Sequence, residues 1–367
     1  MEIAGRPIGG GHPMYVIAEL SANHRQDFDV AVAMVHEAAK AGADAVKLQT
    51  YTPDTITLDS RTPPFLIGNG SPWAGRYLYE LYNEAFTPWE WHPRLAEVAM
   101  ECGVHFFSSP FDETAVDFLE EQSVPAYKIA SFELIDHALI RYVVQTGKPV
   151  IMSTGMASLA EIDEAVNVAR AAGASQLALL RCNSGYPTPA SEMDLRTIPN
   201  MIEAFGVTVG LSDHTSGIEA AIVARALGAT ILEKHFVLDR TSGALDAEFS
   251  LEPHEFAAMV SAVRRAEEML GNVRYGPTPR EVHSLAHRRS LFVTEDLAPG
   301  DVLSLANVRS VRPGHGLAPK HLPDVLGKRV AQKITRGTPL TWEIVVGGTN
   351  LVTKAGDTSK DQSAPTT

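Results

Sequence analysis

The chain has 367 residues, 45% hydrophobic and 20% charged, enough for a barrel of about 250 residues and a small second domain. Its 44 acidic residues outnumber 31 basic ones for a net charge of −13, and no basic tract occurs, so nucleic acid is excluded as an expected partner. Two cysteines, Cys102 and Cys182, give no disulfide framework, and no apolar run approaches the roughly 18 residues of a membrane helix; a soluble, cytoplasmic protein without a membrane partner is expected.

From Tyr15 the chain alternates short apolar runs with amphipathic segments eight times. The runs are Tyr15 to Glu19, Ala45 to Gln49, Val104 to Ser108, Ala126 to Ala130, Val150 to Ser153, Leu177 to Leu180, Val207 to Leu211 and Ile231 to His235. Between them lie helical patterns such as FDVAVAMVHEAAKAGA and LAEIDEAVNVARAAGA, several ending in Gly-Ala or Cys-Gly. The last helix is predicted over Pro253 to Gly271, proline at its start and glycine at its end. Eight strand-then-helix segments in succession predict an α/β fold, a (β/α)8 TIM barrel over residues 1–275. The second connection, Tyr51 to Phe86, is long and rich in Pro, Gly and aromatics, the character of a loop that shapes a substrate site.

After Gly276 the pattern changes. Residues 276–284 read as a linker, 285–348 as a small β domain and 349–367 as a disordered tail. Within the small domain, DLAPGDVL (Asp296 to Leu303) and KITRGTPL (Lys333 to Leu340) form a weak internal echo.

In a parallel barrel the C-terminal strand ends share one face. VTVGLSDHT and TILEKHF, separated by one helix, therefore bring His214 and His235 side by side, which suggests a metal site. Two imidazoles without a thiolate fit Mn2+, Mg2+, Co2+ or Zn2+ used as a Lewis acid. Lys47 and Gln49, two apart, share one side of the second strand. Lys47 and Lys128, inside apolar strands, need an anion. Either they pair internally with Glu19 or Glu133, or they hold a phosphate or carboxylate among serine hydroxyls. The triple glycine Gly9 to Gly11 precedes the first strand, the wrong place for a dinucleotide loop, so a small anion is favoured over a nucleotide.

With these residues in place, the stretch from Tyr15 to about Val346 resembles the sialic acid synthase family. The resemblance rests on AELSANH, KLQTYTPDT, FFSSPF, AYKIASFE, STGM, the YPT of Tyr186 to Thr188, GLSDHT, EKHF and VRPGHG, in this order. It implies that the small domain is an antifreeze-like (SAF) β domain and that the protein is a domain-swapped homodimer. The implied reaction condenses phosphoenolpyruvate with the open-chain aldehyde of an N-acylated amino sugar, giving a nine-carbon 2-keto acid and phosphate. By the same resemblance His214 and His235 are the ligands of a divalent metal, Mn2+ with Mg2+ or Co2+ as alternatives, and Glu19 is the catalytic carboxylate. Lys47, Ser109, Lys128, Ser131, Ser153 and Ser212 match the phosphoenolpyruvate shell. Gln49, Glu133, Tyr186 and Asp246 match the sugar shell, with Arg312 of the partner subunit holding the sugar.

The chain departs from neuraminate-type members, which resemble EIGxNH and KIGSGE where it has ELSANH and KIASFE, and which have Asn where Ser184 stands. Phe132 replaces a glycine beside Glu133. That ring, or a neighbour on the long second loop, is expected to form an apolar wall suited to a 6-deoxy sugar, disfavouring N-acetylmannosamine by ~1–3 kcal/mol. The expected acceptor is 2,4-diacetamido-2,4,6-trideoxy-L-altrose, giving pseudaminic acid. N-acetylmannosamine and the legionaminate precursor are the alternative acceptors. A phosphosugar-using aldolase would want a second basic cluster, and a non-catalytic barrel would lack Glu19 or one histidine.

Overall fold

The eight apolar runs are strands, and they close on themselves. A computed structural model describes residues 1–346, so the tail expected over 349–367 lies outside the described residues. The chain divides into two compact units, one ending at Gly271 and the other starting at Asn272. In chain order the first contains β1 (Tyr15–Glu19), α1 (Phe28–Lys40), β2 (Ala45–Thr50), α2 (His92–Glu101), β3 (His105–Pro110), α3 (Glu113–Glu121), β4 (Tyr127–Ile129) and α4 (His137–Gln145). It continues with β5 (Val150–Ser153), α5 (Leu159–Ala171), β6 (Leu177–Cys182), α6 (Thr197–Phe205), β7 (Thr208–Asp213), α7 (Glu219–Ala226), β8 (Ile231–His235) and α8 (Pro253–Leu270). Each strand pairs in parallel with the next, and β8 pairs with β1 to close the barrel.

Both sides of the strands are buried, which is why they read as continuous apolar runs: every residue of β1, β5 and β8 is buried. The helices start where local chemistry satisfies their free N–H groups. Asp27, Asp112 and Asp136 cap α1, α3 and α4, and Ser158 with Glu161 forms a capping box on α5. Gly210 on β7 marks a close strand approach: a Cβ there would lie 2.4 Å from the carbonyl oxygen of Ile231 and 2.6 Å from Leu180.

Two features were not expected from sequence. The N-terminal segment forms an antiparallel ribbon of Glu2–Ile3 and Arg6–Pro7, and Ile3, Ile8 and Met14 join the barrel core. Asp44 ties it down, accepting from Arg6 at 2.6 Å and from the backbone of Val16 at 2.8 Å. The long second connection contains two helices, Pro53–Ile56 and Leu78–Ala85, between which Leu66 and Tyr77 close a turn by an antiparallel bridge.

In the second unit β9 (Ser290–Val293) runs antiparallel to β10 (Val308–Val311) over a core that includes Leu291, Leu303, Val330 and Leu340. The echo has a structural meaning. Leu297 and Ile334, equivalent positions in the two copies, exchange both backbone hydrogen bonds. The equivalent glycines, Gly300 and Gly337, both sit in the left-handed region at φ +92° and +85°, which explains why the repeat keeps a glycine at that place.

A buried polar chain links the first two strands to the second connection. The Gln26 N–H donates to His24 Nδ1 at 3.0 Å, leaving Nε2–H to donate to Thr87 at 2.9 Å; His92 Nε2 meets Thr50 at 2.8 Å. Burial pushes both imidazoles down to about 4. An unfolded histidine near 6.5 takes up a proton that the folded one refuses, so stability is lost as pH falls from about 6.5 toward 4, by up to roughly 3 kcal/mol per histidine. Between about pH 7 and pH 4.5 the melting temperature of the wild type is expected to drop further than that of His92→Gln; parallel curves would show that His92 is not held neutral.

Candidate active site

Alternation along the strands sorts the polar residues into two sets. On β8, Glu233 and His235 point into the barrel and Lys234 points out; just past β7, His214 follows Ser212 inward while Asp213 points out. The outward pair meets behind the site. Lys234 Nζ lies 2.9 Å from Asp213 Oδ2, both side chains fully buried and in register, and Lys234 also donates to the carbonyl of Thr215. This pair locks the two histidine-bearing strand ends together.

On the inner side the rings of His214 and His235 lie 5.3 Å apart. His214 Nδ1 is 2.7 Å from the carbonyl of Asn183, which can only accept, so Nδ1 carries a proton; burial lowers the ring's proton affinity, but Cys182 and that carbonyl carry it above the ordinary value. Burial holds His235 well below its ordinary value, as a neutral imidazole. Its Nδ1 has no hydrogen-bond partner among the described residues and lies 3.9 Å from Asp246. Among the described residues no group of three or more metal-ligating side chains converges. Two imidazoles with other positions left to substrate or water fit an open catalytic metal site and not a closed structural one.

Next to them lies a dry ionic cluster. His235, Glu19 and Lys47 are register partners across β8, β1 and β2. Lys47 pairs with Glu19 and lies 3.9 Å from Glu233, while Lys128 lies 3.4 Å from Glu233. The internal partners of the lysines are thus Glu19 and Glu233; the expected pairing with Glu133 is not made. Glu19 Oε1 accepts from Gln49 at 3.2 Å and from the backbone of Ser21 at 3.1 Å. Burial pushes Glu19 up and Lys128 down; burial also pulls on Lys47, but Glu19 and Glu233 carry it above its ordinary value.

Hydroxyls ring the lysines. Ser109 accepts from Lys47 at 3.1 Å and Ser212 donates to Glu233 at 3.1 Å. Ser131 accepts from the Gly155 N–H at 3.1 Å, and buried Ser153 Oγ has no partner among the described residues. Gly155 leaves room for these hydroxyls, because a Cβ would lie 2.2 Å from Ser184 Oγ and 2.7 Å from Ser131 Oγ and would make both side chains turn away. On the other side Ser21 donates to Asp246, and Asn23 holds that segment through Ser250 and the carbonyl of Phe236, both at 2.8 Å. The Tyr186 ring lies 4.5 Å from His214 and 5.0 Å from Phe249. Glu133, in the turn after β4, is pushed up to about 7 by burial.

The NeuB family profile matches residues 34–275, and the SAF domain profile matches 288–346. The chain belongs to the NeuB family. It is 43% identical to the pseudaminic acid synthase of Campylobacter jejuni subsp. jejuni over 89% of this chain and 95% of that one. Against the N,N'-diacetyllegionaminic acid synthase of Legionella pneumophila subsp. pneumophila it is 32% identical over 92% of this chain and 96% of that one. Among solved structures, the N-acetylneuraminic acid synthetase of Leptospira borgpetersenii serovar Hardjo-bovis, crystallised with citrate, superposes with a TM-score of 0.70 at 31% identity, covering 78% of this chain and 94% of that one.

In this NeuB-family chain the barrel residues named from sequence meet at one end of the barrel. Arg312 lies on the second unit, just beyond β10, with an exposed side chain. Phe132, in the Ser131–Glu133 turn after β4, is 59% exposed. Sequence reading missed Glu233, which a count of two back from His235 would have found. It also missed Phe249 and the place of Cys182, a buried residue whose sulfur lies 3.9 Å from His214. Removing one member of a buried ion cluster leaves a charge uncompensated. Glu233→Gln is therefore expected to cost the ligand-free protein roughly 3–5 kcal/mol of stability, and inorganic phosphate should raise its melting temperature more than it raises that of the wild type. An unchanged melting temperature would mean that Lys128 finds another partner.

Proposed function

We propose that the chain is a pseudaminic acid synthase, condensing phosphoenolpyruvate with 2,4-diacetamido-2,4,6-trideoxy-L-altrose and water to give pseudaminate and phosphate. The observation that carries this reading is the row His235, Glu19 and Lys47 across three adjacent strands, beside His214 and Lys128, in a NeuB-family chain similar along most of its length to a pseudaminic acid synthase. Lys47 and Lys128, with Ser109, Ser131, Ser153 and Ser212, hold the phosphate and carboxylate. C3 of phosphoenolpyruvate bonds to the aldehyde carbon, C2 takes the oxygen of water, and phosphate leaves. Glu19, oriented by Gln49 and the Ser21 N–H, accepts the proton of that water.

The sugar lies against Gln49, Glu133, Tyr186 and Asp246. Glu133, with a proton affinity raised to about 7, can donate as well as accept there. His214 and His235 are the side chains that would hold a divalent metal, Mn2+ with Mg2+ or Co2+ as alternatives. When bound, the metal would polarise the sugar aldehyde as a Lewis acid. A cytoplasmic homodimer in which Arg312 of the partner subunit reaches the sugar completes the reading. No helix among the described residues is long and apolar enough to cross a membrane.

The test is phosphate release from phosphoenolpyruvate with Mn2+, comparing the altrose acceptor with N-acetylmannosamine and the legionaminate precursor, each with and without EDTA. Release with the altrose sugar, lost in EDTA and lowered roughly 10²–10⁴-fold in Glu19→Gln, is expected. Release with another sugar alone would reassign the acceptor, and none with any sugar would overturn the synthase reading.

A further inference from the structure

Trp73 sits at the tip of the turn between Leu66 and Tyr77 in the second connection. Its turn is held from both sides: the Ile67 N–H donates to the Arg76 carbonyl and the Gly75 N–H to the Ile67 carbonyl, both at 2.9 Å, while the Trp73 N–H donates to Ser71 Oγ at 3.2 Å. The indole reaches across to the far side of the barrel mouth. Its Nε1–H donates to the carbonyl of Leu245 at 3.2 Å, the residue before Asp246, and its ring lies 5.9 Å from Tyr186. Trp73 is therefore the neighbour of Tyr186, whose ring lies 4.5 Å from His214.

We infer that Trp73 is the specificity-determining residue that selects a methyl over a hydroxymethyl group at the far end of the acceptor sugar. This inference rests on the proposed synthase reaction, which places the reacting aldehyde carbon at the histidines. An open six-carbon chain anchored there runs outward past Tyr186, so its terminal carbon comes to the layer that Trp73 occupies. The only polar atom of the indole is already committed to Leu245, and what remains to face a ligand is hydrocarbon. A methyl group packs against it. A terminal hydroxyl gives up water there and finds no partner on the ring. Phe132, the other aromatic considered for this role, is 59% exposed, whereas Trp73 is held in place by its hydrogen bond to Leu245.

The experiment measures kcat/KM for 2,4-diacetamido-2,4,6-trideoxy-L-altrose and for the same sugar carrying a 6-hydroxyl, in wild type, Trp73→Ala and Trp73→Phe. The ratio within one protein cancels any loss of folded fraction. An apolar pocket rejects an added hydroxyl by roughly 100-fold at most, so the wild type should prefer the 6-deoxy sugar by about 10- to 100-fold. In Trp73→Ala the preference should fall to within about threefold, and Trp73→Phe, which keeps an apolar face, should retain most of it. A wild-type ratio carried unchanged into both variants would overturn the role of Trp73 while leaving the synthase reading in place. Failure of the wild type to turn over either sugar would overturn both.

Discussion

Two lysines and two glutamates share the dry interior of the barrel, and the rest of the site is arranged around the need to keep them compensated. Glu19, Lys47, Lys128 and Glu233 are each buried to within a few percent of complete exclusion from solvent. A single unpaired charge in that position would cost several kcal/mol, so the cluster holds together only because β1, β2, β4 and β8 fix all four at once. Its charges sum to zero. A substrate bearing a phosphate and a carboxylate therefore meets lysines that are already neutralised, and its binding has to coincide with a cation or a proton arriving beside Glu19 and Glu233. The two imidazoles that border the cluster are the groups suited to hold that cation.

The back face of the same strands does complementary work. Asp213 and Lys234 are sequence neighbours of His214 and His235, and their fully buried pair joins β7 to β8 directly behind the histidines. In front, Tyr186, Phe249 and Trp73 form an aromatic side to the mouth. One half of the site is thus ionic and closed, and the other is apolar and reached from the long second connection. This division matches a reaction that joins a small anion to a largely uncharged sugar.

Much of this was legible in the chain. The barrel strands could be read because burial on both sides makes each an unbroken apolar run, and the histidines stood out because each ends such a run. The partner of Lys128 was misread because Glu133 is close in sequence, whereas Glu233 comes from β8, four strands later in the chain and brought near only by barrel closure. The helix Leu78–Ala85 was missed because LYELYNEA is short and aromatic, with no capping side chain to announce it. The N-terminal ribbon is two residues wide, too short for any alternation to show. Phe132 could be named because its position in a motif is visible; the neighbour on the long second loop offered beside it could not be named, because Trp73 depends on a turn whose reach no local pattern encodes.

The most direct measurement is the affinity of phosphoenolpyruvate for the wild type and for Lys128→Met by titration calorimetry, with and without Mn2+. Truncating the charged partner of a buried anion costs about 2–5 kcal/mol, so binding should weaken by roughly 30-fold to a few thousandfold in Lys128→Met, and Mn2+ should tighten it in the wild type. Equal affinity in both proteins would contradict the placement of the anion in the barrel cluster.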